Sequence, residues 1–217
     1  QCPTQNVYER LQKMGIKAQL RQFSNGIVPD ESIRVEQRNH PYIIACIGRI
    51  TGEKDQKTLL EAMRYSRHAH EVQLIFAGKG PQEKRIKRLA GKLYKSGVVA
   101  YDPLFAFMDR EALRQLGARA SLCIHCATVE VEGLSIMEAL QQGCIPIIAS
   151  GPITGADQFA LDSRSVFPQK EARDWWLEHP EERKTAHKEY MESMKAYEIS
   201  HSAEALIDMF KAALNET

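Results

Sequence analysis

From residue 42 to residue 150 the chain alternates short β-branched or apolar runs with segments of helical period, and no other feature constrains the fold as much. Residues 42–47, 72–77, 98–101 and 121–126 have the composition of strands, and 57–68, 82–96 and 109–116 the spacing of helices. Residues 48–56, 78–81 and 102–107 are loops on the same reading. Repeated strand–helix units predict an α/β fold: a Rossmann-like parallel sheet with right-handed crossovers and helices on both faces. Ligands of such sheets bind outside the carboxyl ends of the strands. Those ends are Gly48, Gly78, Asp102, the loop from Ala127 to Gly133, and Ser150.

The most informative stretch is 128–150, Thr-Val-Glu-Val-Glu-Gly-Leu-Ser-Ile-Met-Glu-Ala-Leu-Gln-Gln-Gly-Cys-Ile-Pro-Ile-Ile-Ala-Ser. Gly133 permits a tight turn, and Leu134, Met137, Ala139 and Leu140 form an apolar stripe at helical spacing. Gly143 suits a helix C-terminus, and residues 144–149 are a continuous apolar run, as in a strand buried on both faces. A loop opening into a helix presents free backbone N–H groups and the positive end of a dipole, which suits an anion. Glu130 and Glu138 bracket that helix start with seven residues between them.

Outside this block, residues 1–20 have the pattern of a helix, followed by a short strand and an Asn25-Gly26 turn, and then by a polar linker over 30–41. Residues 165–167 suit a last short strand. Residues 175–179, 180–197 and 202–214 suit three helices, with Ser202 as the N-cap of the last.

The 217 residues are 43% hydrophobic and 26% charged, enough for a packed domain. With 29 basic and 28 acidic side chains the net charge is +1, which disfavours a general nucleic-acid binder. No apolar run approaches the roughly 18 residues of a spanning helix. The five cysteines are an odd number and three sit in apolar runs, which fits a reducing cytoplasm. Cys123-Ile124-His125-Cys126 lies on a strand with no further ligands nearby, so neither a metal nor a redox role is expected. His125 itself suits a core position or a brace behind a site. Trp175-Trp176 suits helix packing better than a sugar platform.

Glu-x7-Glu followed by Ala-Leu-x-x-Gly-Cys-x-Pro-x-Ile-x-Ser resembles the signature of the family 4 retaining glycosyltransferases of GT-B fold. Gly48-Arg49-x4-Lys54, Ala77-Gly78-Lys79-Gly80-Pro81 and the Ser24-Asn25-Gly26-Ile27 turn match further motifs of that family. The resemblance covers nearly the whole chain and corresponds to the C-terminal, donor-binding half of an enzyme. It implies that residues 1–28 close the N-terminal domain and linker, and that 29–217 form the nucleotide-sugar domain. A missing N-terminal half is then expected to supply the acceptor site. Two positions depart from the signature: Val131 stands for glycine and Glu132 for an aromatic, both expected beside the sugar. The link over 168–173 is also shorter than the resemblance leads one to expect.

The same resemblance implies roles for individual residues. Glu138 binds the ribose hydroxyls, and Glu130 contacts the transferred sugar and stabilises an oxocarbenium-like transition state. Backbone at Gly133, Leu134 and Ser135 holds phosphate and sugar, while Gly48, Arg49 and Lys54 meet the diphosphate. Gly78 and Gly80 form a turn near the nucleotide. Phe107 and Met108 lie either against the base edge or as an apolar plug under the next helix. The implied activity is sugar transfer from a UDP-, GDP- or ADP-sugar to a glycan or lipid-linked acceptor, with retention and without a metal or other cofactor. The expected location is the cytoplasm, with attachment at the inner membrane face through the N-terminal half as an alternative. Two other readings stand beside it: a GT-B phosphorylase or sugar-phosphate synthase, and a non-catalytic nucleotide-binding module.

Overall fold

The computed structural model describes residues 1–30, 40–167 and 172–215. The expected linker falls largely on 31–39, and most of the short link before the C-terminal helices on 168–171; both lie outside the described residues. The strands are β1 (Tyr42–Ile47), β2 (Val72–Ala77), β3 (Leu104–Ala106), β4 (Leu122–His125), β5 (Ile145–Ala149) and β6 (Val166–Phe167). The helices are α1 (Gln5–Lys13), α2 (Gln56–Met63), α3 (Glu83–Lys95), α4 (Arg110–Arg119), α5 (Leu134–Gln141), α6 (Ala172–Glu178), α7 (Pro180–Ser193) and α8 (Ile199–Asn215).

All strand pairs are parallel, in the order β3-β2-β1-β4-β5-β6, so the expected Rossmann-like α/β sheet is the fold. Side chains alternate between its faces. Ile44, Cys46, Leu74 and Phe76 join Leu59, Leu60, Ile86, Leu93 and Tyr190 in one core. Their neighbours Ala45, Ile75 and Ala77 join Leu116 and Ala139 in a smaller one on the opposite face. Helices therefore cover both faces. The chain changes direction across the sheet between β1 and β4, so a crevice opens where the loops after those two strands diverge.

Four local expectations are corrected. The third strand is Leu104–Ala106, within the segment expected to be a loop, and 98–101 is not a strand. Val98 and Val99 are apolar for a different reason: they close α3. Gly97 N–H bonds to Tyr94 O at 3.0 Å and Val98 N–H to Leu93 O at 2.9 Å, a Schellman ending with its buried apolar follower. The first helix stops at Lys13 for the same reason, at Gly15 (φ +72) with Ile16 N–H bonded to Leu11 O. Residues 21–27 are not a strand but make isolated bridges, Cys2 with Gln22 and Ile27 with Glu198. Lastly, α8 begins at Ile199, not after Ser202, because Ile27 O accepts from Ile199 N–H at 2.8 Å and satisfies the first turn. Ser202 sits buried inside that helix.

An ionic cluster ties α6 to the connection between α2 and β2. His68 Nδ1 lies 3.0 Å from Glu71 Oε1 and its Nε2 3.1 Å from Glu178 Oε1, while Arg67 pairs with Glu178 at 2.7 Å. Burial alone would lower the His68 pKa, but the bonds to Glu178 and Glu71 and the nearby carboxylates outweigh it and raise the pKa. The linkage then has a fixed sign. The stability that His68 contributes is full below its unfolded pKa, about 6.5, and is lost as pH rises through the higher folded value. Wild type should therefore melt above His68→Gln at acidic pH, and the two curves should converge on the alkaline side. A difference in Tm independent of pH would refute this.

Candidate functional site

The loops after β1 and β4 are bound to each other. Thr128 N–H donates to Glu53 O at 2.9 Å, and its hydroxyl to the same oxygen at 3.3 Å. The loop after β1 is also pinned from below, where Gln56 Nε2, buried under it, donates to Arg49 O at 2.8 Å. Asp55 ends the loop in the left-handed region (φ +42), a conformation non-glycine residues rarely adopt outside functional or tightly held turns. Its carboxylate accepts from Thr58 Oγ1 at 2.6 Å, which holds the turn into α2. The residue aimed by this turn is Lys54.

Lys54 Nζ donates to Glu130 Oε2, and His125 Nε2 lies 3.0 Å from the same oxygen, off the line a hydrogen bond would need. The Lys54 and Glu130 side chains are only 17% and 14% exposed. Burial pushes the Glu130 pKa up, but contacts with His125 and Lys54 and their charges outweigh it and hold it at about 2. Glu130 is thus an ionised carboxylate at any physiological pH. Its backbone is fixed as well: its N–H donates to Ile153 O at 2.9 Å and its carbonyl accepts from Gly155 N–H at 2.8 Å.

Gly133 (φ +90) turns the chain into α5, whose first amides face the crevice end of the sheet. Ser135 Oγ approaches Ile47 O, at the end of β1, at 3.5 Å. One turn further, Glu138 lines a cavity of about 710 Å³ with Ser135, Ile47, Arg110, Leu113 and Arg114. Burial raises the Glu138 pKa, and the charge of Arg110 partly opposes the rise. Leu134, between these groups, is 43% exposed, a large apolar side chain left uncovered at the mouth of the site.

The remaining sequence candidates divide. Gly78 and Gly80 serve loop packing: a Cβ on Gly78 would stand 1.9 Å from Gly48 O, and one on Gly80 2.2 Å from Ile50 O. Arg49 is not drawn into the Lys54–Glu130 cluster; it is 76% exposed and 3.5 Å from Glu53. Phe107 is 69% exposed, with Lys79 Nζ 4.7 Å from its ring centre. Met108 packs against the smaller core. Glu132, expected beside the sugar, turns inward instead. It is 3% exposed and bonded to Ser24 and Asn25, because those donors satisfy a carboxylate that no apolar wall would. Sequence reasoning did not find Arg110, since a first-turn arginine on a polar helix carries no distinguishing pattern.

No helix among the described residues is long and apolar enough to cross a membrane. Among curated proteins none matches the chain. Solved structures do. The catalytic domain of cholesterol-alpha-glucosyltransferase from Helicobacter pylori is 37% identical, with a TM-score of 0.66 over 72% of this chain and 99% of that one. Sucrose-phosphate synthase from Thermosynechococcus elongatus, at 19% identity, shares the fold with a TM-score of 0.80 over 99% of this chain and 58% of its own. The lipopolysaccharide outer core galactosyltransferase WaaB, at 14% identity, does so with a TM-score of 0.71 over 96% of this chain and 61% of its own. The chain thus spans little more than half of these last two. Residues 29–190 match the family model described as glycosyl transferases group 1. With the Glu130–Glu138 helix, the Lys54 loop and the 3-2-1-4-5-6 sheet in place, the chain belongs to the group 1 glycosyltransferases and has the fold of a GT-B C-terminal domain.

Proposed function

We propose that this chain binds the donor of a retaining, nucleotide-sugar-dependent glycosyltransferase. The carrying observation is the Lys54–Glu130–His125 cluster at the switch point, one helical start away from the cavity that holds Glu138. The two halves of that arrangement suit the two ends of a nucleotide sugar. Glu138, Ser135 and Arg110 offer a carboxylate, a hydroxyl and a cation to a nucleoside. The cluster offers a cation to the departing diphosphate and a permanently ionised carboxylate to the sugar that becomes positively charged as its bond breaks.

Lys54 and the first amides of α5, joined by Arg49 when its exposed side chain turns onto the diphosphate, supply the positive charge that a metal supplies in other transferases, so the reaction runs without one. The donor is a UDP-, GDP- or ADP-sugar, and the acceptor is a glycan or a lipid-linked sugar bound by a further domain. The relative named for an α-glucosylated sterol supports a glucosyl donor and a lipid-like acceptor. An α-linked donor gives such a product with retention.

The test is a thermal-shift series with UDP-, GDP- and ADP-glucose. A ligand that binds only the folded state raises Tm as its concentration passes Kd, by about 2.7 kcal/mol of stability at a hundredfold excess over Kd. One of the three bases should raise Tm while the others leave it unchanged. No shift with any of them would refute donor binding.

A further inference from the structure

Glu132 stands one residue before Gly133 and two after Glu130, yet its side chain lies on the far side of the loop. A carboxylate so deeply buried is stable only when its oxygens are hydrogen-bonded. They accept from the Ser24 hydroxyl and the Asn25 side-chain amide, and from the Asn25 backbone N–H at 3.1 and 3.2 Å. Ser24 Oγ in turn accepts from Gly26 N–H at 2.9 Å. That turn is seated on the start of α8, where Ile199 Cα and Ser202 Oγ each lie 2.7 Å from the place a Gly26 Cβ would occupy. One residue earlier in the loop, Val131 O accepts from Thr4 Oγ1 at 3.0 Å, and Thr4 is the buried N-cap of α1. The groups that hold the loop directly, Thr4, Ser24 and Asn25, all precede residue 29, where the family match begins.

We propose that Glu132 is a positioning residue: it locks the loop 130–133 onto the Ser24–Gly26 turn and so fixes Glu130 and the first amides of α5 for the sugar and phosphate of the donor. The proposal rests on the donor-binding reading given above. Its physical basis is directional. An apolar side chain at this position holds the loop by packing, which tolerates small rotations, whereas charge-assisted bonds to three donors fix both distance and angle. Glu130 is held from its other side by residues 153–155 and Lys54, so the loop is clamped at both ends of the Glu130–Gly133 segment. Glu138 lies in a separate cavity that Glu132 does not line, and the Val28 wall of that cavity is held by its own bond from Gln141 Nε2 at 3.0 Å, so the clamp acts on the sugar and phosphate more than on the nucleoside.

The experiment uses this chain with the nucleotide-glucose whose base raises Tm, and with the matching nucleoside monophosphate. Calorimetry gives Kd for wild type, Glu132→Ala, Glu132→Gln, Asn25→Ala and the Glu132→Ala/Asn25→Ala double variant. Amide exchange over residues 130–134 is followed without nucleotide. Glu132→Ala and Asn25→Ala should each weaken nucleotide-glucose binding by about tenfold, the size expected for losing a bond to a charged group. Monophosphate affinity should change by no more than about threefold on the same scale. The double variant should be no weaker than Glu132→Ala, since both changes break one contact. Glu132→Gln should recover part of the loss, and exchange at 130–134 should quicken in both alanine variants. Additive losses, equal loss of the monophosphate, or unchanged exchange would overturn the proposal. Faster exchange in the variants upholds the clamp even where wild type binds no nucleotide sugar, and that combination overturns the donor-binding reading alone.

Discussion

On the donor-binding reading proposed above, replacing Lys54 with alanine is expected to lower kcat by roughly 10²–10³, the cost of removing one preorganised group that meets developing charge. KM for the donor should change much less, because the charge Lys54 meets is largest in the transition state. The structure gives two reasons for so large an effect. Lys54 is buried against Glu130 at the switch point, where solvent screens its field poorly. It is also one of the groups that keep Glu130 ionised. Without it, burial moves the Glu130 pKa up from about 2, opposed by His125 and by the Val131 N–H that donates to Glu130 Oε1 at 3.2 Å. The acid limb of the pH–rate profile should therefore move to higher pH in Lys54→Ala, a change that loss of diphosphate binding alone would not produce. Lys54→Arg should keep part of the rate, since it restores the charge without the compact geometry. Steady-state kinetics across pH, with and without EDTA, decide the matter. Wild-type turnover that vanishes in EDTA and returns with magnesium or manganese would assign the charge neutralisation to a metal and remove it from Lys54.

The grouping of Lys54, Glu130 and Glu138 in this candidate site is legible in the sequence, and the reasons are local. The strands β1, β2 and β4 are dense apolar runs bounded by loops, so their periodicity survives in the sequence. The Glu130–Gly133–Glu138 spacing is contained in one loop and one helix, and Lys54 follows a neighbouring strand end, so sheet order alone brings them together. What failed to show was long-range or depended on a backbone ending. Val98 and Val99 have strand-like side chains, but Gly97 makes them the terminus of α3, and the strand they would have formed lies six residues later. Glu132 depends on Ser24 and Asn25, which are 108 and 107 residues away. Nothing at either end of the sequence signals the pairing. Arg49 shows the reverse case: its motif is clear in the sequence, yet its side chain is mostly in solvent, where it pairs loosely with Glu53, while its backbone carbonyl is held by Gln56.

Glu138→Gln should weaken nucleotide binding by about 1.5–3 kcal/mol, the range for hydrogen bonds to a charged group, or roughly ten- to 150-fold in Kd. Glu138 sits on the face of α5 shared by Ser135, three residues earlier, and both line the cavity that reaches Arg110 and the end of β1. A carboxylate there accepts two hydroxyl hydrogens, one on each oxygen, which a vicinal diol supplies and a lone hydroxyl does not. The amide of glutamine keeps the shape, but it places an NH₂ where one hydroxyl must donate. Burial of Glu138 raises its pKa, while Arg110 helps keep the ionised form that accepts both bonds. The discriminating ligand is the 2′-deoxy nucleotide of the preferred base. Wild type should bind it more weakly than the ribonucleotide, and Glu138→Gln should bind the two almost alike, because the bond that distinguishes them is already gone. Equal affinities of wild type and variant for the ribonucleotide, with Tm unchanged, would make Glu138 an ordinary surface carboxylate and move ribose recognition elsewhere in the cavity.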